Sequence, residues 1–231
     1  MYVAPPMNST GLPLDPSAPP RRPLRTRTRG WARGLSSRLA GWGVRPNAVS
    51  LMSIVASLVA CAAFAGSAGA PRSLRAACLL LAALFIQLRL LANMLDGLIA
   101  VESGRHTPTG DLFNEIPDRV DDLLILVGAG FAVANPLSIG LGLACAIFAI
   151  LTAYIRVLAG SLGLPQRFTG PMAKPHRMAT LTVAALMGSA EVVVTGGAAW
   201  SIQIGLGIIA LGSVVTVMRR IRLAAQDLRS A

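Results

Sequence analysis

The chain has 231 residues, 54% of them hydrophobic and only 13% charged, with a net charge of +11 and a mean hydropathy of +0.62. Soluble domains carry about a quarter charged residues, so this composition excludes an ordinary water-soluble domain and implies an integral membrane protein. Twenty arginines stand against one lysine, Lys174, while aromatics make up 5% of the chain; few stacking platforms and arginines beside apolar runs favour anionic lipid headgroups over nucleic acid as partners.

Residues 1–30 are rich in Pro, Ser, Thr and Arg and read as a disordered basic segment. No cleavable signal peptide is expected, because the first 45 residues lack an apolar core of the needed length. Residues 31–45 form the next unit. Trp31, Leu35, Leu39 and Trp42 recur there at helical spacing, with Arg33 and Arg38 elsewhere on the wheel. That pattern predicts a short amphipathic juxtamembrane helix lying in the interface, with a floppy basic tail as the alternative.

Six runs follow that are long enough to cross a bilayer, given about 20 apolar residues per span. They fall at roughly 48–67, 75–100, 116–134, 137–160, 176–195 and 198–218. The expected architecture is an all-α polytopic six-transmembrane-helix bundle over residues 46–220, with a basic cytoplasmic tail at 221–231. Asn135-Pro136 and Thr195-Gly196-Gly197 mark tight turns between antiparallel neighbours. Cys61, Cys78 and Cys145 each lie within an apolar run and read as small core residues, without disulfide or zinc spacing.

Orientation follows the arginines. Eight lie before the first span, and Arg219, Arg220, Arg222 and Arg229 follow the last. Arg167, Lys174 and Arg177 lie after the fourth span, against Arg72 and Arg75 on the opposite side. Both termini are therefore expected in the cytoplasm, in an inner or plasma membrane.

Seven of the ten acidic residues lie between Asp96 and Asp122, where the second span meets the cytoplasmic side and the third returns. Carboxylates at a membrane boundary are costly to desolvate and mark function by default. Arg89, Asn93, Asp96 and Ala100 share one helical stripe; Asp111, Asn114, Asp118 and Asp122 (or Asp121) form a second. Gly97 beside Asp96 leaves room for a ligand near the backbone. Pro117 is tolerated if its helix starts near Asn114, which is then an N-cap candidate. Two stripes of oxygen ligands suit a hard cation such as Mg²⁺ or Mn²⁺; solvation of a loop is the plainer alternative. Arg89 is expected to pair with Asp96 or Asn93, and Arg156 to need a buried partner. Arg167, Lys174, His176 and Arg177 form a basic cluster that could grip a phosphate or simply obey the positive-inside rule.

These residues resemble the CDP-alcohol phosphatidyltransferases, whose motif runs D-x-x-D-G-x-x-A-R, a variable stretch, then G-x-x-x-D-x-x-x-D. Here the same spacing reads Asn93-x-x-Asp96-Gly97-x-x-Ala100-Val101 and Gly110-x-x-x-Asn114-x-x-x-Asp118. Arg45-Pro46-Asn47 before the first span adds to the likeness, which covers about residues 45–220. The resemblance implies divalent metal, one or two ions of Mg²⁺ or Mn²⁺, held at Asn93, Asp96, Asn114 and Asp118, with Asp118 also the general base. It implies substrate contacts at Gly97, Ala100 and Gly110, and the basic cluster adds Lys174 and Arg177. The expected activity is transfer of a phosphatidyl group from CDP-diacylglycerol to an acceptor hydroxyl with release of CMP, in phospholipid biosynthesis. Membrane lipids surround such a protein, and homodimers are known in the family.

Three positions depart from the motif: Asn93 and Asn114 replace aspartates, and Val101 replaces arginine. An amide offers one neutral oxygen where a carboxylate offers two anionic ones. Asp111, Glu115, Asp121 or Asp122 could compensate for the lost charge, and Arg89 or Arg105 for the lost arginine. The alternative is a catalytically impaired relative that binds nucleotide or lipid, or scaffolds partner enzymes. A small transporter is disfavoured, since the polar groups gather at one membrane face without an inverted repeat.

Overall fold

The computed structural model describes residues 30–43, 46–102, 110–197 and 199–230, and every regular element among them is a helix. In chain order these are α1 (Gly30–Gly41), α2 (Pro46–Ser67), α3 (Arg72–Glu102), α4 (Gly110–Phe131), α5 (Pro136–Ser161), α6 (Lys174–Thr195) and α7 (Trp200–Ser230). Five of them, α2, α3, α5, α6 and α7, are long and apolar enough to cross a membrane. The protein is therefore an integral membrane protein, and its outward leucines, such as Leu58, Leu84 and Leu211, present the apolar surface a bilayer requires. Of the proposed disordered segment 1–30, residues 1–29 lie outside the described residues, as do Arg105 and His106, and Gly30 opens α1.

The ends of the helices follow local chemistry. Asn135 caps α5 by accepting from the Ser138 amide at 2.8 Å, and Pro136 occupies the first turn, where no intrahelical donor is needed. Gly196, with φ of +69°, closes α6 in the left-handed conformation that glycine adopts without strain. The α5–α6 loop is tied to α7: the Met172 amide donates to Thr216 Oγ1 at 3.0 Å, and Arg220 Nε donates to the Thr169 carbonyl at 3.0 Å. That anchorage fixes where α6 begins, and so where Lys174 sits.

Helices α2 to α7 pack as a closed ring in the order α2, α3, α6, α7, α5, α4 and back to α2. Close approach depends on small residues. A Cβ at Gly128 of α4 would lie 2.7 Å from the Cys61 Cα on α2, and one at Gly142 of α5 would lie 2.8 Å from the Gly130 Cα. Without a hydrophobic force between helices in lipid, such backbone-to-backbone contact supplies the packing. The main core runs through Phe64, Leu79, Ile86, Ile125, Leu126, Leu181, Ile202 and Leu206. A second cluster of Val49, Met94, Leu95 and Ile99 receives Leu35 and Leu39 of α1, so the apolar face of α1 is turned to the protein.

Two elements differ from the expected boundaries. The helix carrying the second half of the motif starts at Gly110, not near Asn114, which puts Pro117 in the helix interior. Asn114 therefore stands inside α4 and is not its N-cap. Pro117 removes the amide that would bond the carbonyl four residues earlier, a local cost accepted beside the acidic cluster. Likewise α7 continues to Ser230, so residues 221–230 extend a span as helix.

Candidate active site

The polar stripe of α3 faces that of α4 inside the bundle. Asn93 Nδ2 donates to Asp118 Oδ1 at 2.8 Å, joining the two halves of the motif directly. The Lys174 ammonium, from the first residue of α6, pairs with the same oxygen. On the other side of that carboxylate, Arg119 Nη2 lies 3.6 Å from Oδ2. Asp118 is 17% exposed, so one edge of it is open to a reactant.

Asp96 is different. It is 5% exposed. Its Oδ2 accepts from Ser50 Oγ of α2 at 2.8 Å, while Oδ1 is buried without a partner. Among the described residues no basic side chain lies within ion-pair distance of it, although the charges of Asp118 and Lys174 act on it. A buried carboxylate oxygen left in this way carries a desolvation cost unless something binds it.

A third group lies deeper. Arg89 Nε meets Asp121 Oδ2 at 3.0 Å, and its Nη2 meets Asp122 Oδ1 at 2.8 Å. The same Nη2 donates to the Asp118 carbonyl at 3.3 Å. Ser53 Oγ of α2 donates to Asp121 Oδ2 at 2.8 Å. Arg177 Nη2 of α6 reaches Asp122 Oδ2 at 2.7 Å, and its Nη1 reaches the Met172 carbonyl at 3.1 Å. Arg89, Asp121 and Asp122 are fully buried, and Arg177 nearly so. The network ties α2, α3, α4 and α6 together just below Asp118.

Several sequence expectations now have positions. Arg89 pairs with Asp121 and Asp122, not with Asp96 or Asn93; residues three and four beyond Asp118 turn one face of α4 onto it. Arg177 is committed to Asp122 in the interior, so the basic cluster divides: Lys174 reaches Asp118, and Arg177 serves the network. Arg156 finds Glu115 and, at 3.2 Å, Gln166 Oε1, with its guanidinium 5.1 Å from the Phe168 ring centre. Gly97 is half-buried beside Asp96, and Gly110 opens α4. The side chains of Ala100 and Asn114 lie outside those described; Asn114 stands one turn before Asp118 on α4. Ser50 and Ser53 were not singled out in the sequence, since no motif marks them, yet their three-residue spacing sets both hydroxyls toward the acids.

Among the described residues, no three His, Cys, Asp or Glu side chains converge as a ready metal cage. The donor set instead offers Asp96 with its unpartnered oxygen, the Asn93 amide and the partly engaged Asp118. Such a set fits a divalent ion that takes further oxygens from water or a phosphate, as Mg²⁺ and Mn²⁺ do.

No family model matches the chain. The phosphatidylinositol phosphate synthase of Mycolicibacterium smegmatis is 26% identical over 143 residues, which cover 60% of this chain and 63% of the relative, a little under two thirds of its length. The crystal structure of Mycobacterium tuberculosis phosphatidylinositol phosphate synthase with CDP-DAG bound aligns with a TM-score of 0.69 at 22% identity, over 84% of this chain and 92% of that one. The same enzyme in complex with manganese and citrate aligns with a TM-score of 0.70, over 84% and 88%. The chain shares the fold of that synthase. Within that fold, Asn93, Asp96, Asn114 and Asp118 occupy the motif positions on α3 and α4, and the bond from Asn93 to Asp118 brings the two motif strings into contact.

Proposed function

We propose that the chain is a metal-assisted phosphatidyltransferase, moving the phosphatidyl group of CDP-diacylglycerol or a similar CDP-alcohol to an acceptor hydroxyl and releasing CMP. The observation that carries this proposal is the Asn93–Asp118 contact, which closes the two motif halves on each other beside the buried, unpartnered oxygen of Asp96. Its setting is a fold shared with a synthase crystallised with CDP-DAG and with manganese. Asp118, partly open, would take the proton of the acceptor hydroxyl as that oxygen attacks phosphorus. Asp96, Asn93, Asn114 and Asp118 would hold Mg²⁺ or Mn²⁺. When bound, the ion would offset charge on the pyrophosphate. Gly97, Ala100 and Gly110 would leave room for the nucleotide, Lys174 would add positive charge next to the reacting phosphate, and Arg177 would act through Asp122.

The acceptor side is proposed at the shallow cleft lined by Arg156, Arg167, Arg220 and Asp227. Three guanidinium groups there suit an acceptor that carries a phosphate of its own. In the membrane, α2 to α7 would all span, α4 included, because apolar residues fill its second half. The arginine distribution supports cytoplasmic termini and a cytoplasmic site. In this arrangement α1 would lie along the interface while its leucines hold α3. Homodimerisation is carried by analogy with the family.

The test is CMP release by the purified full chain in lipid nanodiscs, with CDP-diacylglycerol, Mn²⁺ or Mg²⁺, and a panel of acceptors including inositol phosphate, glycerol phosphate, inositol and serine. Metal-dependent release that needs one acceptor, and is lost in Asp118→Asn, is the expected result. A second reading, a non-catalytic relative that binds the nucleotide lipid, is favoured by the two asparagines and by the engagement of Asp118 Oδ1 by both Lys174 and Asn93. Binding of CDP-diacylglycerol with no CMP from any acceptor would select it.

A further inference from the structure

The charges in the bundle can be followed pair by pair. Asp122 is shared by Arg89 and Arg177, Asp121 is held by Arg89, and Asp118 is held by Lys174. Arg119 also lies 3.6 Å from Asp118 and is shared with Glu115. Of Asp96, Asp118, Asp121 and Asp122, only Asp96 has no ion pair; its Oδ1 is buried with no partner, whereas Asp121, whose Oδ1 is likewise unpartnered, has Arg89. Asn93 contributes to the same asymmetry. Its amide nitrogen points at Asp118, so the residue that would bridge two ions as a carboxylate here donates a hydrogen bond to the neighbouring ligand.

Two divalent ions bring four positive charges and need nearly as many carboxylates close by to offset their mutual repulsion. In this chain the Asp118 side of the site already has a cation, and that cation is covalently attached. We propose that the Lys174 ammonium takes the place of one of two divalent ions, so that the site binds a single Mg²⁺ or Mn²⁺, anchored on Asp96, with Asp118 kept as a Lys174-paired base. This rests on the phosphatidyltransferase reading of the same site and gives it a stoichiometry. The substitutions at Asn93 and Asn114 are then the counterpart of Lys174: two bridging charges fewer, one fixed positive charge more.

Mn²⁺ binding to the full chain in nanodiscs, without nucleotide, measures this directly by electron paramagnetic resonance and calorimetry. The wild type should bind one Mn²⁺ per chain. Asp96→Asn should weaken binding by about 100-fold, the top of the range for an outer-shell partner. Lys174→Arg should keep the count at one. Lys174→Gln combined with Asn93→Asp and Asn114→Asp should raise it to two. Size-exclusion profiles and melting temperatures of the same samples identify any variant that fails to fold, and Lys174→Arg and the wild type keep the count decisive if the triple variant does. Two ions in the wild type, no ion at all, or unchanged binding in folded Asp96→Asn would each overturn the inference. These readouts are separate from turnover: one ion without CMP release sinks the proposed activity alone, and CMP release with two ions sinks the single-ion inference alone.

Discussion

The Arg89–Asp121–Asp122–Arg177 network and the Asp96–Asp118 pair stand side by side on the same helices, yet they treat charge in opposite ways. In the network every carboxylate has a cation within 3.0 Å, and all four side chains are buried. Single buried atoms lack partners in both places, Asp121 Oδ1, Arg89 Nη1 and Arg177 Nε in the network and Asp96 Oδ1 at the pair, but Asp96 has no ion pair at all and Asp118 keeps 17% of its surface open. A closed set of charges holds helices in register, whereas an incomplete one is a place for something to bind. The acidic stretch thus contains two devices, and the network fixes the height and rotation of α4 at which Asp118 meets Asn93.

The contrast is broken most severely at Asp118. Asp118→Asn removes the proposed base without changing shape, and general-base catalysis is worth about 10²–10⁴-fold, so CMP release should fall by about 10³-fold while the melting temperature changes little. A comparable loss of folded protein would move Asp118 to the structural side of the comparison.

Asp122→Ala is expected to do the reverse. It strands the buried Arg177 guanidinium and leaves Arg89 with Asp121 as its main partner, and leaving a buried ion-pair partner alone costs about 3–5 kcal/mol. Detergent-solubilised protein should lose its monodisperse peak or melt far earlier, with activity falling in step. Arg89→Met should cost a similar amount, and pairing it with Asp121→Leu should recover much of that loss, since apolar pairs of similar volume replace buried ion pairs well. Failure of the double variant to recover stability would mean the network does more than hold helices.

A smaller and more selective effect is expected at the arginine-lined cleft. Arg156→Ala loses a charged contact and should raise the KM for a phosphorylated acceptor about tenfold, with the KM for CDP-diacylglycerol unchanged. Equal changes in both would place that cleft outside the acceptor path.

How much of this was legible in the sequence depends on what each signal means physically. Uninterrupted apolar runs gave α2, α5 and α6 nearly to the residue, because in lipid a helix must extend as far as its backbone needs internal bonds. The start of α4 was placed near Asn114, four residues late, because proline normally marks a helix entry and here sits within one. The end of α7 was placed at Met218 because the arginines beyond it mark the exit from the membrane, which is not the end of a helix. The motif spacing located Asn93, Asp96 and Asp118, since residues three and four apart share a face whatever the tertiary fold. The partner of Arg89 was not legible: both choices lay at suitable positions, and only the rotation of α4 against α3 decides between them. Ser50 and Ser53 were hidden for another reason, as serines are common in apolar helices and their function arises from what faces them.

Those two serines give the finest test of the comparison. Ser50 donates to Asp96 and Ser53 to Asp121, each at 2.8 Å, from the same helix and three residues apart. Interhelical hydrogen bonds in membranes average about 0.6 kcal/mol, so Ser50→Ala and Ser53→Ala should destabilise the protein by similar small amounts. Their functional consequences should differ. Without Ser53, Asp121 still has Arg89, and the metal requirement should not move. Without Ser50, Asp96 loses its side-chain donor and keeps only the Gly97 amide, its carboxylate is less fixed, and the Mn²⁺ concentration for half-maximal CMP release should shift about tenfold, the low end of the 10–100-fold typical of outer-shell partners. Titrating Mn²⁺ against both variants checks this: equal shifts would show that the serines act only on helix packing, and that the boundary between the closed network and the open pair does not run between Asp121 and Asp96.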